Sequence, residues 1–557
     1  MKEQQLTKNK YIGLLAAVII GCMAFMAIYG LTPLDVTNDR WIMELYDERD
    51  ILTHYAGWEA YRDSPWSFPL GHTDNMAVGE GVIISFTDSI PWVAMVFKAI
   101  NGILPNTFQF FGWFTLLCYI LQTVAAFMIL SCKTKDTVFS LAGSVLFSFA
   151  PILMERAFRH TALGAQWLVL FAIYLYFVHK DTPKTINHIW MLLLLVLSIG
   201  IHPYFLPMIA CFALLCVAED AIKGKYKNMV IFPLQLGITY AAGYIIGVVG
   251  HGVSSSRSGF GHYSMNINAV VNPTSVGGYT WSKFLPVLPN TAGNYDGFNY
   301  LGAGIMAGLV LAAVLLLASG RAADAVATVK RHLPLLAVSI FLTCFALSHI
   351  ICLNENIIFT APLPEKLVEL GGIFRSSGRM FYPVYYLLFI WVVVSVYRCA
   401  DRLKKPVAYG VLAFIVALQL YDISGCIVEK HTNMYRNGRE TSILDDVFLN
   451  EVFSNSDELL EIDIHRYDER QLAVLAFKKD MTISYELANS GEYPAAEALR
   501  DRKIEEIIST GDLQDYIVVL SEEEEAQRFA HCEDAIIYAY KNSFLVFRDK
   551  GYQLSPQ

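Results

Sequence analysis

Charged residues are scarce in this sequence. Asp, Glu, Lys and Arg together make up 17% of its 557 residues, whereas a soluble protein of this length carries about a quarter. The net charge is −9 and no basic arm is present, so the sequence does not indicate a nucleic-acid partner. Ten cysteines are scattered along the chain without a C-x-x-C pair. Neither a disulfide framework nor a cysteine zinc site is therefore indicated.

Several recognisable patterns are also missing. The chain shows no sustained internal repeat and no low-complexity linker. Its C-terminal part contains neither a Gly-rich phosphate loop nor a nucleophile elbow, so it gives no sign of a nucleotide-binding or hydrolase domain.

What the sequence does contain is apolar residues in long blocks. Hydrophobic residues make up 55% of the chain, and most blocks approach the roughly 20 residues that cross a bilayer. We predict an α-helical polytopic membrane protein with about eleven spanning helices. The first, Tyr11–Leu31, has a basic flank but is long for a signal peptide, so we expect it to be retained. The predicted spans lie near residues 11–32, 108–131, 137–152, 162–179, 187–201, 204–219, 229–250, 301–319, 333–353, 380–398 and 406–424.

The orientation follows from the connections, since Lys and Arg favour the cytoplasmic side. The N-terminus and every second connection are basic, with Lys2, Lys8, Lys10, Lys133, Lys135, Lys180, Lys184, Lys223, Lys225, Lys227, Arg321, Lys330, Arg331, Arg398, Arg402, Lys404 and Lys405. The alternate connections are mostly long and aromatic, at 33–107, 153–161, 251–300 and 354–379. We predict a cytoplasmic N-terminus and outward-facing long connections.

Residues 89–104 form an apolar stretch that does not fit this alternation as a span. The stretch is short and contains Lys98 and Asn101, and counting it would place the later basic connections outside. We predict an amphipathic helix lying at the outer interface.

The composition changes after the last apolar block. Residues 426–557 are more charged and alternate predicted strands, at 459–463, 472–477, 482–487, 516–520, 535–540 and 543–547, with predicted helices at 497–510 and 521–531. We therefore predict two domains, a membrane domain over 1–425 and a small extracytoplasmic α/β domain over 426–557.

The candidate catalytic residues lie in the first outer connection. Asp50 and His54 are four residues apart, so a helix there would present both on one face. Such a pair could activate a hydroxyl or hold a divalent metal. The structural alternative is that the two side chains bond loop backbone or face water. Asp88 precedes the interfacial segment, where it could cap a helix or act as a second catalytic carboxylate.

Arginines in two other outer connections are candidate phosphate ligands. Arg156 and Arg159 lie in M-E-R-A-F-R-H, and Arg375 and Arg379 lie in F-R-S-S-G-R. Arginine pairs suit bidentate capture of phosphate oxygens. The structural alternatives are interfacial snorkelling or a pair with Glu155 in the first case, and a salt bridge with Glu365 or Glu369 in the second.

Aromatic and amide side chains of the outer connections suit a sugar, because rings stack on C–H faces and amides bond hydroxyls. The loops G-F-G-H-Y-S-M-N and N-Y-D-G-F-N-Y supply most of them. The predicted substrate contacts are Trp58, His262, Tyr263, Asn266, Asp296 and Tyr300.

Taken together, these motifs resemble a bacterial family of polytopic proteins grouped with the GT-C glycosyltransferases. The matching elements are D-x-x-x-H-Y-x-G-W (50–58), T-D-S-I-P (87–91), F-Q-F-F-G-W (108–113), H-P-Y (202–204), the two loops above and F-R-x-S-G-R (374–379). The resemblance covers roughly residues 10–425. One element departs from it, because Gln166 stands before Trp167 where the family usually has His.

The resemblance implies sugar transfer on the outer face of the bacterial cytoplasmic membrane. The donor would be a polyprenyl-phosphate sugar, and the acceptor a cell-envelope glycan or lipid. Asp50 would act as general base or as a metal-linked acid, so a divalent metal at Asp50 is the one cofactor considered. The arginines would stabilise the leaving lipid phosphate.

Two other functions remain open from the sequence. A transporter or flippase of a lipid-linked sugar would carry charges within its helices and broken helices in corresponding halves. A non-catalytic envelope assembly protein would use the C-terminal domain for sensing.

Overall fold

A computed structural model describes residues 2–44, 50–251, 259–463, 466–487 and 493–552. The chain forms two compact units, each assembled from three stretches of sequence. The larger unit comprises Met1–Asp35, Phe110–Tyr240 and Arg257–Tyr435. The smaller unit comprises Val36–Gln109, Ala241–Ser256 and Arg436–Gln557.

The described residues are mainly helical. The α-helices are α1 (Lys2–Tyr29), α2 (Arg40–Met43), α3 (Asp50–Arg62), α4 (Pro91–Ala99), α5 (Phe111–Thr134), α6 (Thr137–Ser148), α7 (Pro151–Arg159), α8 (Trp167–Asp181), α9 (Thr185–Ile201), α10 (Phe205–Ile222), α11 (Ile231–Ile246), α12 (Ala303–Ala318), α13 (Ala322–Arg331), α14 (Leu333–Leu347), α15 (Glu365–Gly372), α16 (Tyr382–Leu403), α17 (Lys405–Asp422), α18 (Ser424–Asn437), α19 (Val447–Ser454), α20 (Arg466–Phe477), α21 (Pro494–Thr510) and α22 (Glu523–Ala526).

The strands are short and fall into three sheets. They are β1 (His72–Thr73), β2 (Val82–Ile83), β3 (Ile350–Leu353), β4 (Asn356–Thr360), β5 (Glu458–Glu461), β6 (Thr482–Ile483), β7 (Tyr516–Leu520), β8 (Ala535–Tyr540) and β9 (Ser543–Arg548). Strands β1 and β2 pair antiparallel, as do β3 and β4.

The apolar helices support a multi-pass membrane protein. Among the described residues, six segments are long and apolar enough to cross a membrane: Tyr11–Tyr29, Phe111–Thr134, Thr161–Asp181, Phe205–Ile222, Tyr226–Ile246 and Ser377–Cys399. The number rises to nine if each of three bent helix pairs is one span. Each of the eleven predicted spans overlaps an apolar helix. However, α9 and α14 have 17 and 15 residues, short of the roughly 20 that a span needs, so the count of eleven is not confirmed.

The bend between α6 and α7 has a local cause in the sequence. Helix α6 begins at the side-chain cap of Asp136, which accepts a hydrogen bond from the Phe139 amide at 3.1 Å. It ends before Pro151, which begins α7 at a bend of 48°. Proline suits the first turn of a helix but cannot continue the preceding one.

The smaller unit contains a five-stranded mixed sheet in the order β6-β5-β7-β9-β8. Strand β5 pairs parallel with β6 and β7, whereas β9 pairs antiparallel with β7 and β8. One face is covered by α21 and the chain around Phe529, over a core of apolar side chains that includes Leu460, Val518, Leu520 and Val546. The intervening residues Leu459, Ile517 and Val519 are buried as well, so both faces of the central strands are covered.

Two local predictions can be compared with these elements. The strand predicted at 472–477 is wrong, because these residues complete α20, whose apolar run is buried on all sides. The segment 89–104 contains the helix α4, as predicted, and its Lys98 donates a hydrogen bond to Ser64 at 2.9 Å. Its place at the outer interface stays a prediction. The division into domains at residue 425 stays a prediction.

Candidate active site

The pair Asp50 and His54 lies on α3 of the smaller unit. Helix α3 begins at Asp50, whose carboxylate is favoured there by the positive end of the helix dipole. The two residues are one turn apart and therefore share a face. Asp50 keeps 27% of its side chain exposed, while that of His54 is fully buried.

Asp88 lies beside His54 because of a close approach at Gly57. A Cβ atom on Gly57 would lie 2.1 Å from Thr87 Oγ1, so only glycine allows α3 to pack against the 87–89 segment. Ser89 Oγ donates to the His54 carbonyl at 2.7 Å. His54 Nε2 is 3.9 Å from Asp88 Oδ2. Asp88 does not cap α4, since Ile90 occupies the cap position without a side-chain bond.

The His54 imidazole is held in its neutral form. Burial, reinforced by the nearby Arg470 guanidinium, lowers the pKa of His54 to about 3. A neutral imidazole offers one lone pair, which can accept a hydrogen bond or bind a metal. His54 and Asp88 therefore carry donor atoms that a divalent metal could use in this unit, whereas the described ion partner of Asp50 is Arg470.

Three charged residues near α3 were not anticipated from the sequence. Arg470 Nη1 lies 3.7 Å from Asp50 Oδ1. The buried carboxylate of Asp39 accepts from Tyr55 Oη at 2.9 Å and pairs with Lys478 Nζ at 2.9 Å. Arg470 belongs to α20 and Lys478 directly follows it, more than 400 positions along the chain, so no local pattern marks them. Asp39 lies after α1 in the same connection as Asp50. This position among the other acids of the first connection is the sequence feature that could have marked it as a candidate.

The larger unit contains a buried network of arginines and acids. Arg156 Nη1 and Arg379 Nη2 lie 2.8 and 3.0 Å from the same oxygen, Asp296 Oδ1. Arg156 Nε lies 2.6 Å from Glu155 Oε2, and Arg159 Nη1 lies 3.1 Å from Glu155 Oε1. These three arginines and two acids leave one excess positive charge, which suits the neighbourhood of an anion.

The charge of Asp296 is fixed by this network. Burial opposes its ionisation, but the guanidiniums of Arg379 and Arg156 outweigh burial and hold the pKa of Asp296 well below its usual range. Gly378 allows the two segments to meet, because a Cβ there would lie 2.6 Å from the Gly297 Cα. Gly297 and Gly378 therefore allow their two segments to pack closely enough for Asp296 and Arg379 to pair.

The four predicted phosphate ligands thus differ in accessibility. Arg156 and Arg379 are buried, and both form ion pairs with Asp296. Arg159 is partly exposed above the Tyr295 ring at 5.3 Å, and Arg375 is half-buried above the Tyr263 ring at 5.7 Å. Of the four, Arg159 and Arg375 therefore keep surface that a ligand could reach, whereas Arg156 and Arg379 are held within the protein.

The predicted substrate residues divide in the same way. Trp58, Asn266, Asp296 and Tyr300 are buried, and each has an internal partner. For example, Trp58 Nε1 donates to the Phe108 carbonyl at 2.8 Å, and Tyr300 Oη donates to Asp422 at 2.6 Å.

His262 is exposed and Tyr263 is half-buried, with ring centroids 4.7 Å apart. Tyr295, 6.1 Å from Tyr263, adds an exposed ring that sequence reasoning did not single out. These three residues form the aromatic surface that a sugar could reach in the larger unit.

Comparisons with known proteins give one family and a distant structural likeness. No curated protein matches the chain. The crystal structure of the Archaeoglobus fulgidus oligosaccharyltransferase in the apo form matches with 11% sequence identity and a TM-score of 0.41, covering 97% of this chain and 74% of that chain. A likeness of this size does not establish a shared fold. The family model described as "Domain of unknown function (DUF6311)" matches residues 18–424. Because this match covers most of the sequence, the chain belongs to the DUF6311 family.

Proposed function

We propose that this protein is a membrane glycosyltransferase of the GT-C type. It would move a sugar from a polyprenyl-phosphate donor to a glycan or lipid acceptor, on the outer face of the bacterial cytoplasmic membrane. The observation that carries the proposal is the placement of Asp50. This carboxylate lies partly exposed at the start of α3, one turn from a buried neutral His54 that neighbours Asp88.

The reaction assigned to Asp50 is a single displacement. The acceptor hydroxyl oxygen forms a bond to the anomeric carbon of the donor while the bond from that carbon to the phosphate oxygen breaks. The hydroxyl proton passes to the Asp50 carboxylate, and the electron pair of the broken bond leaves with polyprenyl phosphate. Proton removal by a positioned carboxylate contributes typically ~10²–10⁴-fold to such a step.

His54 and Asp88 support Asp50 in one of two ways. In the first, the neutral His54 fixes the local hydrogen-bond pattern and Asp50 alone takes the proton. In the second, His54 and Asp88 bind a divalent metal, which would supply Lewis-acid stabilisation of the leaving phosphate. The lowered pKa of His54 suits both, since each needs an unprotonated ring nitrogen.

The arginines of the larger unit are assigned to the lipid phosphate. Arg159 and Arg375 combine a guanidinium with exposed surface, and each lies over a tyrosine ring. A guanidinium donates two parallel hydrogen bonds to phosphate oxygens, and this interaction strengthens as negative charge develops on the leaving group.

The experiment that tests this function is reconstitution of the purified full-length chain in liposomes. The donors would be a panel of undecaprenyl-phosphate monosaccharides with a radiolabelled sugar. The acceptor would be the envelope glycan and lipid fraction from cells that lack the protein. We expect label to enter that fraction and undecaprenyl phosphate to be released in equal amount. Label that crosses the bilayer but stays on the donor would instead show a flippase. Donors that neither move nor react would favour an assembly protein.

A further inference from the structure

A second polar cluster lies in the larger unit and contains none of the residues assigned to sugar transfer. It is formed by His179 near the end of α8, His188 near the start of α9, and Asp220 near the end of α10. His179 Nε2 lies 3.1 Å from Asp220 Oδ1, and His188 Nε2 lies 2.9 Å from Asp220 Oδ2. All three side chains are at most 3% exposed. Two imidazole nitrogens and a carboxylate therefore converge on one buried point.

We propose that His179, His188 and Asp220 bind a divalent transition-metal ion such as Zn²⁺. Their candidate ligand atoms all lie within 4.8 Å of one another. Ligands at about 2.0–2.1 Å from a tetrahedral ion lie roughly 3.3 Å apart, and the distances from the imidazole nitrogens to Asp220 are close to this. Two imidazoles with one carboxylate favour zinc, cobalt or nickel over the oxygen-seeking magnesium and calcium.

The charges around the cluster also favour a cation. Asp220 lies in the last turn of α10, where the negative end of the helix dipole disfavours a carboxylate. Its described ion partners are the two imidazoles, and Asn228 donates to it at 2.6 Å. Of the nearby lysines, Lys180 pairs with Glu219, whereas Lys223 donates to the Lys180 carbonyl and keeps its positive charge. A bound divalent ion would offset the buried carboxylate directly.

Neighbouring polar groups can hold the ligands in place. The Asn187 side-chain amide lies 3.4 Å from His179 Nδ1, and either end of an amide can face a ring nitrogen. Gln235 donates to the His188 carbonyl at 2.8 Å and thereby ties α11 to α9. A polar group on the second ring nitrogen, as Asn187 is for His179, orients metal-binding histidines in known sites. A metal here would fasten α8, α9 and α10 together at one end, which is a structural role.

The alternative explanation of the cluster is a hydrogen-bonded lock without metal. In that case both imidazoles donate Nε2–H to Asp220. The two explanations differ in whether the protein retains an ion, so retention of metal is the quantity to measure.

The test uses the full-length chain with a Strep tag, because a polyhistidine tag would itself bind metal. The purified protein is stripped with chelator, incubated with Zn²⁺ alone, passed through gel filtration and analysed by mass spectrometry for zinc. We expect about one zinc per chain. The variants Asp220→Asn and His188→Gln should lower retained zinc at least tenfold. The control His332→Gln removes a histidine that packs against Phe177 of the same α8, outside the cluster, and should retain zinc.

Two further readouts keep the proposal testable if a variant folds poorly. Wild-type protein should show a higher thermal midpoint with Zn²⁺ than after chelation, since an ion bound only by the folded state stabilises it. Cobalt substitution should give the visible absorption of a tetrahedral Co²⁺ site. Wild-type protein that elutes free of zinc with an unchanged midpoint would overturn the proposal, as would Asp220→Asn protein that retains the wild-type amount. Sugar transfer is not needed for any of these measurements, so failure here is distinct from failure of the proposed function.

Discussion

Arg156 and Asp296 form a two-point contact inside the larger unit. Arg156 Nη1 lies 2.8 Å from the Asp296 carboxylate, and Nη2 donates to the Asp296 backbone carbonyl at 2.7 Å. The residues are 140 positions apart, and both are buried. The contact therefore fixes α7 against the segment that carries Asp296, within the network that also contains Arg379 and Glu155.

Removing one partner of this contact should destabilise the protein strongly. Arg156→Ala leaves Asp296 with one arginine fewer in a buried place, and such a loss typically costs about 3–5 kcal/mol. The matched control is Arg159→Ala, on the same helix and with the same partner Glu155, but partly exposed. That change should cost about 1 kcal/mol or less. Thermal midpoints of detergent-solubilised protein compare the two, and equal midpoints for both variants would contradict the account of the network.

Substitutions of Arg375 and Arg379 should affect different quantities, the affinity for lipid phosphate in the first case and the thermal stability in the second. Arg375→Ala is expected to leave the thermal midpoint near that of wild type and to weaken binding of undecaprenyl phosphate, because a charge-assisted contact is worth roughly 1.5–3 kcal/mol. Arg379→Ala should lower the thermal midpoint, since Arg379 pairs with buried Asp296. Lipid affinity is measured by titration in nanodiscs. Unchanged affinity for Arg375→Ala would remove that residue from the phosphate site.

The pH dependence of stability should reveal the lowered pKa of the buried His54. Its pKa is about 3 in the folded protein and 6.5 as the ordinary value, so below pH 6.5 the unfolded chain binds a proton that the folded chain does not. Stability therefore falls as the pH drops from 6.5 towards 3, by about 2 kcal/mol between pH 7 and pH 5. Above pH 6.5 the two states do not differ at this residue, and no effect is expected.

The measurement for His54 is the thermal midpoint at pH 7 and pH 5 in wild type and His54→Gln. The variant should lose less stability than wild type over this interval, because it has no imidazole to protonate. Parallel pH dependence in both proteins would show that His54 is not held neutral by its surroundings.

Much of the larger unit could be predicted because hydropathy is a local signal. Each predicted span overlaps an apolar helix. The capping residue Asp136 starts α6, and Pro151 explains the bend between α6 and α7. The number of true spans could not be read in the same way. Helices α9 and α14 are apolar but short, and composition does not show how far a short helix reaches across a bilayer.

The candidate sites were only partly predictable. Asp50 and His54 share a face only if their segment is helical, and α3 supplies that helix. The contacts of Asp50 with Arg470 and of Arg379 with Asp296 join distant parts of the chain, and no spacing rule marks such pairs. The strand predicted at 472–477 failed for a related reason, since a short apolar run fits a buried helix equally well.

The orientation in the membrane stays a prediction, and cysteine labelling tests it. The background replaces the exposed Cys132 and Cys344 by serine. Val287→Cys and Val447→Cys lie at exposed positions in segments predicted to face outward. They should react with an impermeant maleimide in intact cells. Lys225→Cys should react only after permeabilisation. Labelling of Lys225→Cys in intact cells would reverse the orientation and with it the face assigned to the chemistry.

The central claim is that Asp50 takes the proton of the acceptor, and its most direct measurement is the release of undecaprenyl phosphate by Asp50→Asn. Asparagine keeps the shape of the side chain but cannot accept the proton, so the rate should fall ~10²–10⁴-fold with donor binding and thermal midpoint unchanged. Asp74→Asn is the matched control, because Asp74 is an exposed acid of the same unit, and it should react like wild type. Asp88→Asn tests the rival carboxylate in parallel. Near-normal release by Asp50→Asn, with Asp88→Asn inactive, would show that the other carboxylate is the base; near-normal release by both would contradict the enzyme assignment itself.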